Sequence, residues 1–225
     1  MKKSVIIVAG GKGLRMGAAI PKQFMLLAGR PVLFHTLEAF YAFDPDLEIV
    51  LVLPEDQQAY WKELCASFRF SIAHKVVTGG ETRFHSVKNG LDSISGEALI
   101  AVHDGVRPLV SNRIIRMAYV MAEQCAAAYP VIPVTDSLRE YAGLNESIPV
   151  DRSRYCLVQT PQIFRSDVLR KAYEQEYRNS FTDDVSVVEA SGMAVPVMVE
   201  GDKENLKITT SSDLIIAEAL MECRI

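Results

Sequence analysis

The chain is short of the features that would place it outside the ordinary globular proteins. No apolar run in its 225 residues is long enough to cross a membrane. Cysteine is scarce: Cys65, Cys125, Cys156 and Cys223 lie far apart and none forms a Cys-x-x-Cys pair. That excludes a disulfide framework and a thiol-built metal site, and predicts reduced, partly buried cysteines in a cytoplasmic protein. Positive charge is not in excess. Twenty-four Lys and Arg stand against 28 Asp and Glu, a net charge of −4, which argues against a nucleic-acid-coating surface. Any cationic chemistry must therefore be local. Lys2-Lys3 ahead of an apolar run imitates a secretory leader, but that run is short and passes into glycines and Lys12. Internal repeats and low-complexity linkers are absent. No Gly-Lys is followed by Ser or Thr, which excludes the phosphate loop of the ATPases.

What is present is concentrated near the N-terminus. Val5-Ile6-Ile7-Val8-Ala9 breaks into Gly10-Gly11-Lys12-Gly13-Leu14-Arg15-Met16-Gly17, and Pro21-Lys22-Gln23 follows. The pattern predicts a buried first strand and then a glycine-rich loop. Glycines let the backbone approach a ligand and offer peptide N–H groups to phosphate oxygens. Arg15 and Lys22 add charge where a polyphosphate would lie. A dinucleotide-binding oxidoreductase is the competing reading. It needs a third glycine where Met16 stands and an acidic ribose ligand at the tip of the second strand, where Pro54 stands. Two loop cations suit a triphosphate attacked at its α-phosphorus. The segment resembles the glycine loop of nucleotidyltransferases that activate sugar and polyol phosphates.

The rest of the chain reads as alternating strands and helices. Val32, Leu33, Thr36, Leu37 and Phe40 recur at helical spacing, and residues 47–53 form a buried-strand run. Tyr60, Trp61, Leu64, Cys65 and Phe68 mark a second helix, whose aromatics read as core. Residues 72–77 predict a strand, Phe84, Val87, Leu91 and Ile94 a helix, and residues 98–103 a strand. Ser111 is a predicted N-cap. This order implies an α/β fold, a Rossmann-like, mostly parallel sheet flanked by helices. Ligands on such sheets sit at the carboxyl ends of the strands. The alternation breaks at about residues 134–158. There Thr135–Tyr141 and Val150–Tyr155 flank Gly143-Leu144-Asn145-Glu146, the pattern of a protruding β-arm. An isolated two-stranded arm needs a partner surface, so one domain over residues 1–225 with an arm inserted for dimerisation is expected. The alternation then resumes with a helix over about 166–177, a short helix after Thr182, a strand near 194–199 and a last helix after Ser211.

Other constellations carry alternatives. Thr78-Gly79-Gly80-Glu81-Thr82-Arg83 could wrap a base edge with Ser86 in reach, or be a turn with Thr82 as a cap. Asp104, in His103-Asp104-Gly105-Val106-Arg107-Pro108, is a hard oxygen ligand suited to Mg²⁺ on a triphosphate. Arg107 could bind a second phosphate, or pair with Asp104 beneath the loop. His103 reads as structural, because a phosphate monoester attacks as an anion and needs no base. Thr182-Asp183-Asp184 could be only a helix cap. Lys207 alone would read as a solvated lysine; in this company it reads as a phosphate clamp.

Taken in order, the glycine loop, Pro21-Lys22-Gln23, Gly79-Gly80-Glu81, His103-Asp104-x-x-Arg107-Pro108, Asp151-Arg152, Thr160-Pro161-Gln162, Thr182-Asp183-Asp184 and Asn205-Leu206-Lys207-Ile208-Thr209 closely resemble the methylerythritol-phosphate cytidylyltransferase family over nearly the whole chain. The resemblance implies transfer of CMP from CTP to 2-C-methyl-D-erythritol 4-phosphate with Mg²⁺, in isoprenoid precursor synthesis. It implies that Arg15 and Lys22 stabilise the α-phosphorus transition state. Lys207 and Arg152 would position the attacking phosphate, Arg152 coming from a neighbouring subunit's arm. Ser137, Arg107, Thr160 and Thr182 would line the polyol-phosphate site, and Ala9, Gly10, Gly11, Gly80, Glu81 and Ser86 would hold cytidine and its phosphates. Glu81 stands where the family commonly has Asp, Ser137 where it has Thr, and Gly105-Val106 where it has Ala-Ala. Ribitol-5-phosphate cytidylyltransferases share similar loops and are the alternative. A catalytically silent relative would lack Arg15, Lys22 or Lys207, and all three are present.

Overall fold

The computed structural model describes residues 1–10 and 20–223. In chain order the strands and helices are β1 (Lys2–Val8), β2 (Leu26–Leu27), β3 (Arg30–Pro31), α1 (Val32–Phe43), β4 (Glu48–Leu53), α2 (Glu55–Ser67), β5 (Lys75–Thr78), α3 (Arg83–Asp92), β6 (Ala98–Asp104), α4 (Asn112–Cys125), β7 (Ala127–Pro133), β8 (Arg139–Gly143), β9 (Glu146–Pro149), β10 (Cys156–Val158), β11 (Gln162–Arg165), α5 (Ser166–Ala172), α6 (Asp184–Ser191), β12 (Val197–Glu200) and α7 (Ser211–Glu222). Single 3₁₀ turns occupy Lys22–Phe24 and Arg152–Arg154.

The eight-stranded sheet runs β10-β7-β11-β6-β1-β4-β5, with β12 added to β7. β6, β1, β4 and β5 are parallel; β11 enters antiparallel between β6 and β7, and β10 is also antiparallel to β7. Strand period two divides the core between the two faces. Val5, Ile7, Leu51, Leu53, Leu99 and Ala101 point to one side, where α1, α2 and α4 cover them. Ile6, Val50, Val52, Ile100 and Val102 point to the other, under α3, α5 and α6. A third, smaller cluster joins Val32, Val106 and Leu109 to Ile208 and α7. The buried aromatics Trp61 and Phe34 meet edge to face at 5.2 Å, so Trp61 belongs to the core. Tyr60 on the same helix and Phe68 at its C-cap are exposed.

Register places the ends of the parallel strands at one level. Val8 lies beside Val52 and Asp104, and the next hydrogen bonds run from Ala9 N–H to the Val52 carbonyl and from Gly105 N–H to the Val8 carbonyl. The loops after β1, β5 and β6 therefore emerge together at the carboxyl edge. Gly105 packs closely there: a Cβ would lie 3.0 Å from Ala9 Cβ and 3.2 Å from the Val8 carbonyl, so a larger residue would need its neighbours to give slightly.

Several boundaries differ from the sequence reading. The strand expected from residue 72 starts at Lys75, and the helix expected to reach residue 177 ends at Ala172. The hairpin is shorter than residues 134–158, because its second strand is Glu146–Pro149 and residues 156–158 have already rejoined the central sheet. Three of the four cysteines are exposed rather than partly buried; Cys65 alone is intermediate.

Candidate active site

Two cavities open along this carboxyl edge, of about 300 and 290 Å³. The first is lined by Ala9, Gly10, Lys22, Gly80, Glu81 and Ser86; the second by Arg107, Thr160 and Thr182. Asp104, Lys207 and Arg83 line both. The sequence had separated these residues by up to 198 positions; the parallel strand ends reunite them.

Each wall has a local cause. Thr82 caps α3 by accepting from His85 N–H, so the glycine turn before it is fixed to a rigid helix. Ser86, one turn in, accepts from Gly80 N–H at 3.1 Å and fastens the turn again. A Cβ on Gly80 would fall 2.4 Å from His85 Cβ, so only glycine fits. Lys22 sits on the 3₁₀ turn whose Gln23 side chain donates to the Ala9 carbonyl at 2.9 Å, tying that turn to the end of β1.

The shared wall is a charge cluster. The Asp104 carboxylate takes the Lys207 ammonium at 3.0 Å and the Arg107 Nε–H at 3.2 Å, both on Oδ2, with Arg83 Nε 3.8 Å from Oδ1. Burial opposes its charge, but Lys207, Arg83 and Arg107 hold its carboxyl well below the usual carboxylate range. Asp104 is thus an anion at every physiological pH. The alternative of an Asp104–Arg107 ion pair beneath the loop is realised, and Arg107 faces the second cavity as well.

Behind the cluster lies a fully buried support. His103 bonds the Thr160 hydroxyl through Nδ1 at 3.1 Å and the Arg107 carbonyl through Nε2 at 3.2 Å. Burial pushes its pKa down to about 3, so it is a neutral strut. The Thr160 hydroxyl also accepts from Asp104 N–H at 3.1 Å. Asn205 Nδ2 donates to the Thr160 carbonyl at 2.8 Å, and the Asn205 carbonyl accepts from Arg107 Nη1 at 2.7 Å. The loop that carries Lys207 is thereby locked to the crossing between β10 and β11.

Four residues of this arrangement escaped the sequence reading. Arg83 forms a two-pronged pair with Asp184, whose side chain is fully buried. Gln162 Oε1 accepts from the N–H groups of Asp184 and Val185, and its Nε2 donates to Asp183. Asn205, like the other three, was quoted only as part of a motif. The Thr-Asp-Asp segment is indeed a cap, since Asp183 closes a capping box with Ser186; its neighbour Asp184 has the second, unforeseen task. The partners of Arg83 and Asp184 are 101 residues apart, and no local pattern signals them.

Not every expected residue arrives. Ser137 and Arg152 are exposed and line neither cavity; Arg152 Nη1 donates to the Thr135 carbonyl near the foot of the hairpin. Gly11 and Arg15 lie outside the described residues. Among the described residues no group of three or more His, Cys, Asp or Glu could cage a metal. Asp104 is a single hard oxygen ligand facing both cavities. That donor set fits a divalent cation brought in on substrate phosphates, which needs one or two carboxylates, and does not fit a resident metal.

A sequence model of the 2-C-methyl-D-erythritol 4-phosphate cytidylyltransferases matches residues 4–223. The chain belongs to this cytidylyltransferase family. A relative of that name from Azobacteroides pseudotrichonymphae is 56% identical over 221 residues, covering 98% of this chain and 99% of its own. One from Bacteroides thetaiotaomicron is 55% identical, covering 98% and 100%. The crystal structure of the Thermus thermophilus cytidylyltransferase superposes with a TM-score of 0.80 at 33% identity, over 99% of this chain and all of its own. As a member of the family the chain is a nucleotidyltransferase with the family's mixed, mostly parallel sheet between helices. No helix of the described residues in this cytidylyltransferase is long and apolar enough to cross a membrane.

Proposed function

We propose that the chain transfers CMP from CTP to 2-C-methyl-D-erythritol 4-phosphate, giving 4-diphosphocytidyl-2-C-methylerythritol and pyrophosphate. One observation carries this reading: two cavities share a wall of Lys207, Arg83 and Asp104, with Arg107 paired to the same carboxylate on the side of the second. Such a wall suits a reaction between two anions, which is mainly a matter of alignment and charge neutralisation.

The first cavity takes CTP. Ala9, Gly10, Gly80, Glu81 and Ser86, with Gly11, surround cytidine and the phosphates. Lys22, joined by Arg15, faces the α-phosphate. The second cavity takes the polyol phosphate between Arg107, Thr160 and Thr182, with Lys207 between the two reactants. An oxygen of the acceptor phosphate forms the new bond to the α-phosphorus. The bond from that phosphorus to the bridging oxygen breaks, and the electron pair leaves with pyrophosphate. Mg²⁺ on the triphosphate, held by Asp104, would neutralise the departing charge. No side chain has to remove a proton, which agrees with a buried, neutral His103.

The hairpin supports a homodimer. Tyr141 and Leu144 are 91% and 94% exposed, and Arg152 and Ser137 stand outside both cavities. A neighbouring subunit that received the arm would bury those side chains and bring Arg152 and Ser137 to its second cavity. The four unpaired cysteines suit a cytoplasmic protein.

The test is pyrophosphate release from CTP and Mg²⁺ with 2-C-methyl-D-erythritol 4-phosphate, beside the same assay with ribitol 5-phosphate. Release with the former and not the latter is expected. Release with ribitol 5-phosphate alone would move the chain to polyol activation of a different kind.

A further inference from the structure

Arg83 is the residue whose surroundings the reading above leaves unused. It occupies the first turn of α3, directly after the glycine turn of the first cavity, yet its guanidinium is committed elsewhere. Nη1 and Nη2 donate to Oδ1 and Oδ2 of Asp184 at 3.0 and 2.7 Å. Asp184 is buried at the start of α6, beside Thr182 of the second cavity, and Tyr173 Oη donates to its Oδ1 at 2.5 Å. Phe84, next to Arg83, stacks on Tyr173 with ring centroids 4.6 Å apart. The clamp is therefore stiff: a planar fork on a carboxylate that is itself fixed from behind. The edge left over, Nε, faces Asp104 Oδ1 at 3.8 Å, while Oδ2 of the same carboxylate holds Lys207 at 3.0 Å.

We propose that Arg83 is a positioning residue: anchored by Asp184 and Tyr173, it orients the Asp104 carboxylate and, through it, the Lys207 ammonium at the wall between the two substrates. The inference rests on the two-cavity reading and adds the part that keeps its central cation in place. Arg83 lines both cavities, so it also ties the helix behind the nucleotide turn to the helix beside the acceptor site. A lysine here could reach Asp184 or Asp104 but could not fork one and face the other.

The experiment is a double-mutant cycle with Arg83→Lys and Lys207→Gln in the full chain, measuring kcat and both KM values, with thermal unfolding alongside. In the native background Arg83→Lys should lower kcat about 30-fold or more and leave both KM values within about threefold, the pattern of an alignment lost in the transition state. In the Lys207→Gln background the same change should cost about twofold or less, because its object is already gone. An equal loss in both backgrounds, or a loss confined to KM, overturns the proposal and leaves Arg83 a structural tether. Tyr173→Phe is the second variant. It leaves the stack on Phe84 and removes only the hydroxyl on Asp184. It should lower kcat about three- to tenfold with unchanged KM; native kcat in Tyr173→Phe also overturns the proposal. Failure of the two-cavity reading is separately visible, as absence of pyrophosphate release by the native chain.

Discussion

His103 illustrates how burial decides what a residue can do. It lies in the motif that also carries Asp104, yet its ring is sealed under Phe40 and bonded at both nitrogens. Its folded pKa of about 3 lies below the ordinary 6.5, so the unfolded chain takes up the proton first as pH falls. Stability from this group is complete above pH 6.5 and is lost through the window down to about 3, at up to about 1.4 kcal/mol per pH unit. Urea unfolding of the native chain and His103→Asn between pH 7 and 4 should show the native chain losing stability faster. Parallel curves would contradict a neutral buried histidine. In the proposed reaction the cations carry the chemistry, so Lys22→Ala and Lys207→Ala should each cut turnover by about 10²-fold or more with thermal unfolding little changed. Native turnover in Lys22→Ala would remove the first-cavity mechanism. At this scale the sequence was informative wherever chemistry sits in a short motif, as with Lys22, Asp104 and Lys207. It was silent on Arg83–Asp184 and on Gln162, whose roles arise from contacts between distant segments.

At the scale of elements, α3 shows how close packing aims a site. Gly90 faces the sheet so tightly that a Cβ would lie 2.7 Å from Ile6 Cγ2 and 3.0 Å from Val52 Cγ2. Alanine is the better helix former by about 1 kcal/mol, but overpacking costs about 1–3 kcal/mol and should win. Gly90→Ala should therefore lower the thermal midpoint and, by lifting the helix that carries Thr82, Arg83 and Ser86, raise KM for CTP. A higher midpoint with native KM would contradict this packing. The parallel part of the sheet was readable because β1, β4 and β6 are continuous apolar runs and the helices between them keep period 3.6. β11 was not readable. Its residues Gln162–Arg165 directly precede α5, and only tertiary pairing with β6 and β7 makes them a strand. Residues 159–161 cross between β10 and β11, and they place Thr160 under Asp104. An apolar-pattern search sees only an interruption there.

In the proposed reaction the whole molecule brings two anionic substrates to one charged wall and, in the proposed dimer, completes that wall from a second copy. Replacing Tyr141 and Leu144 with serine should leave the single chain folded, since both are almost fully exposed, and shift sedimentation from dimer to monomer. Arg152→Ala and Lys22→Ala chains, each nearly inactive, should regain activity when mixed, because one of the hybrid's two sites then draws an intact Lys22 and an intact Arg152 from different chains. Absence of any recovery, with hybrids demonstrably formed, would place Arg152 in service of its own subunit or of none. Fold class and the neighbourhood of the site were legible because strand ends in a parallel sheet collect motifs at one edge. The arm's true extent was not, since a polar hairpin and its polar stem look alike in sequence. The central claim is that the acceptor phosphate attacks the α-phosphorus of CTP. The most direct measurement is ³¹P NMR of the reaction of CTP and Mg²⁺ with 2-C-methyl-D-erythritol 4-phosphate. The account predicts free pyrophosphate and a pair of coupled doublets from a new diphosphate diester. CDP with a polyol diphosphate would mean attack at the γ-phosphorus and would contradict it.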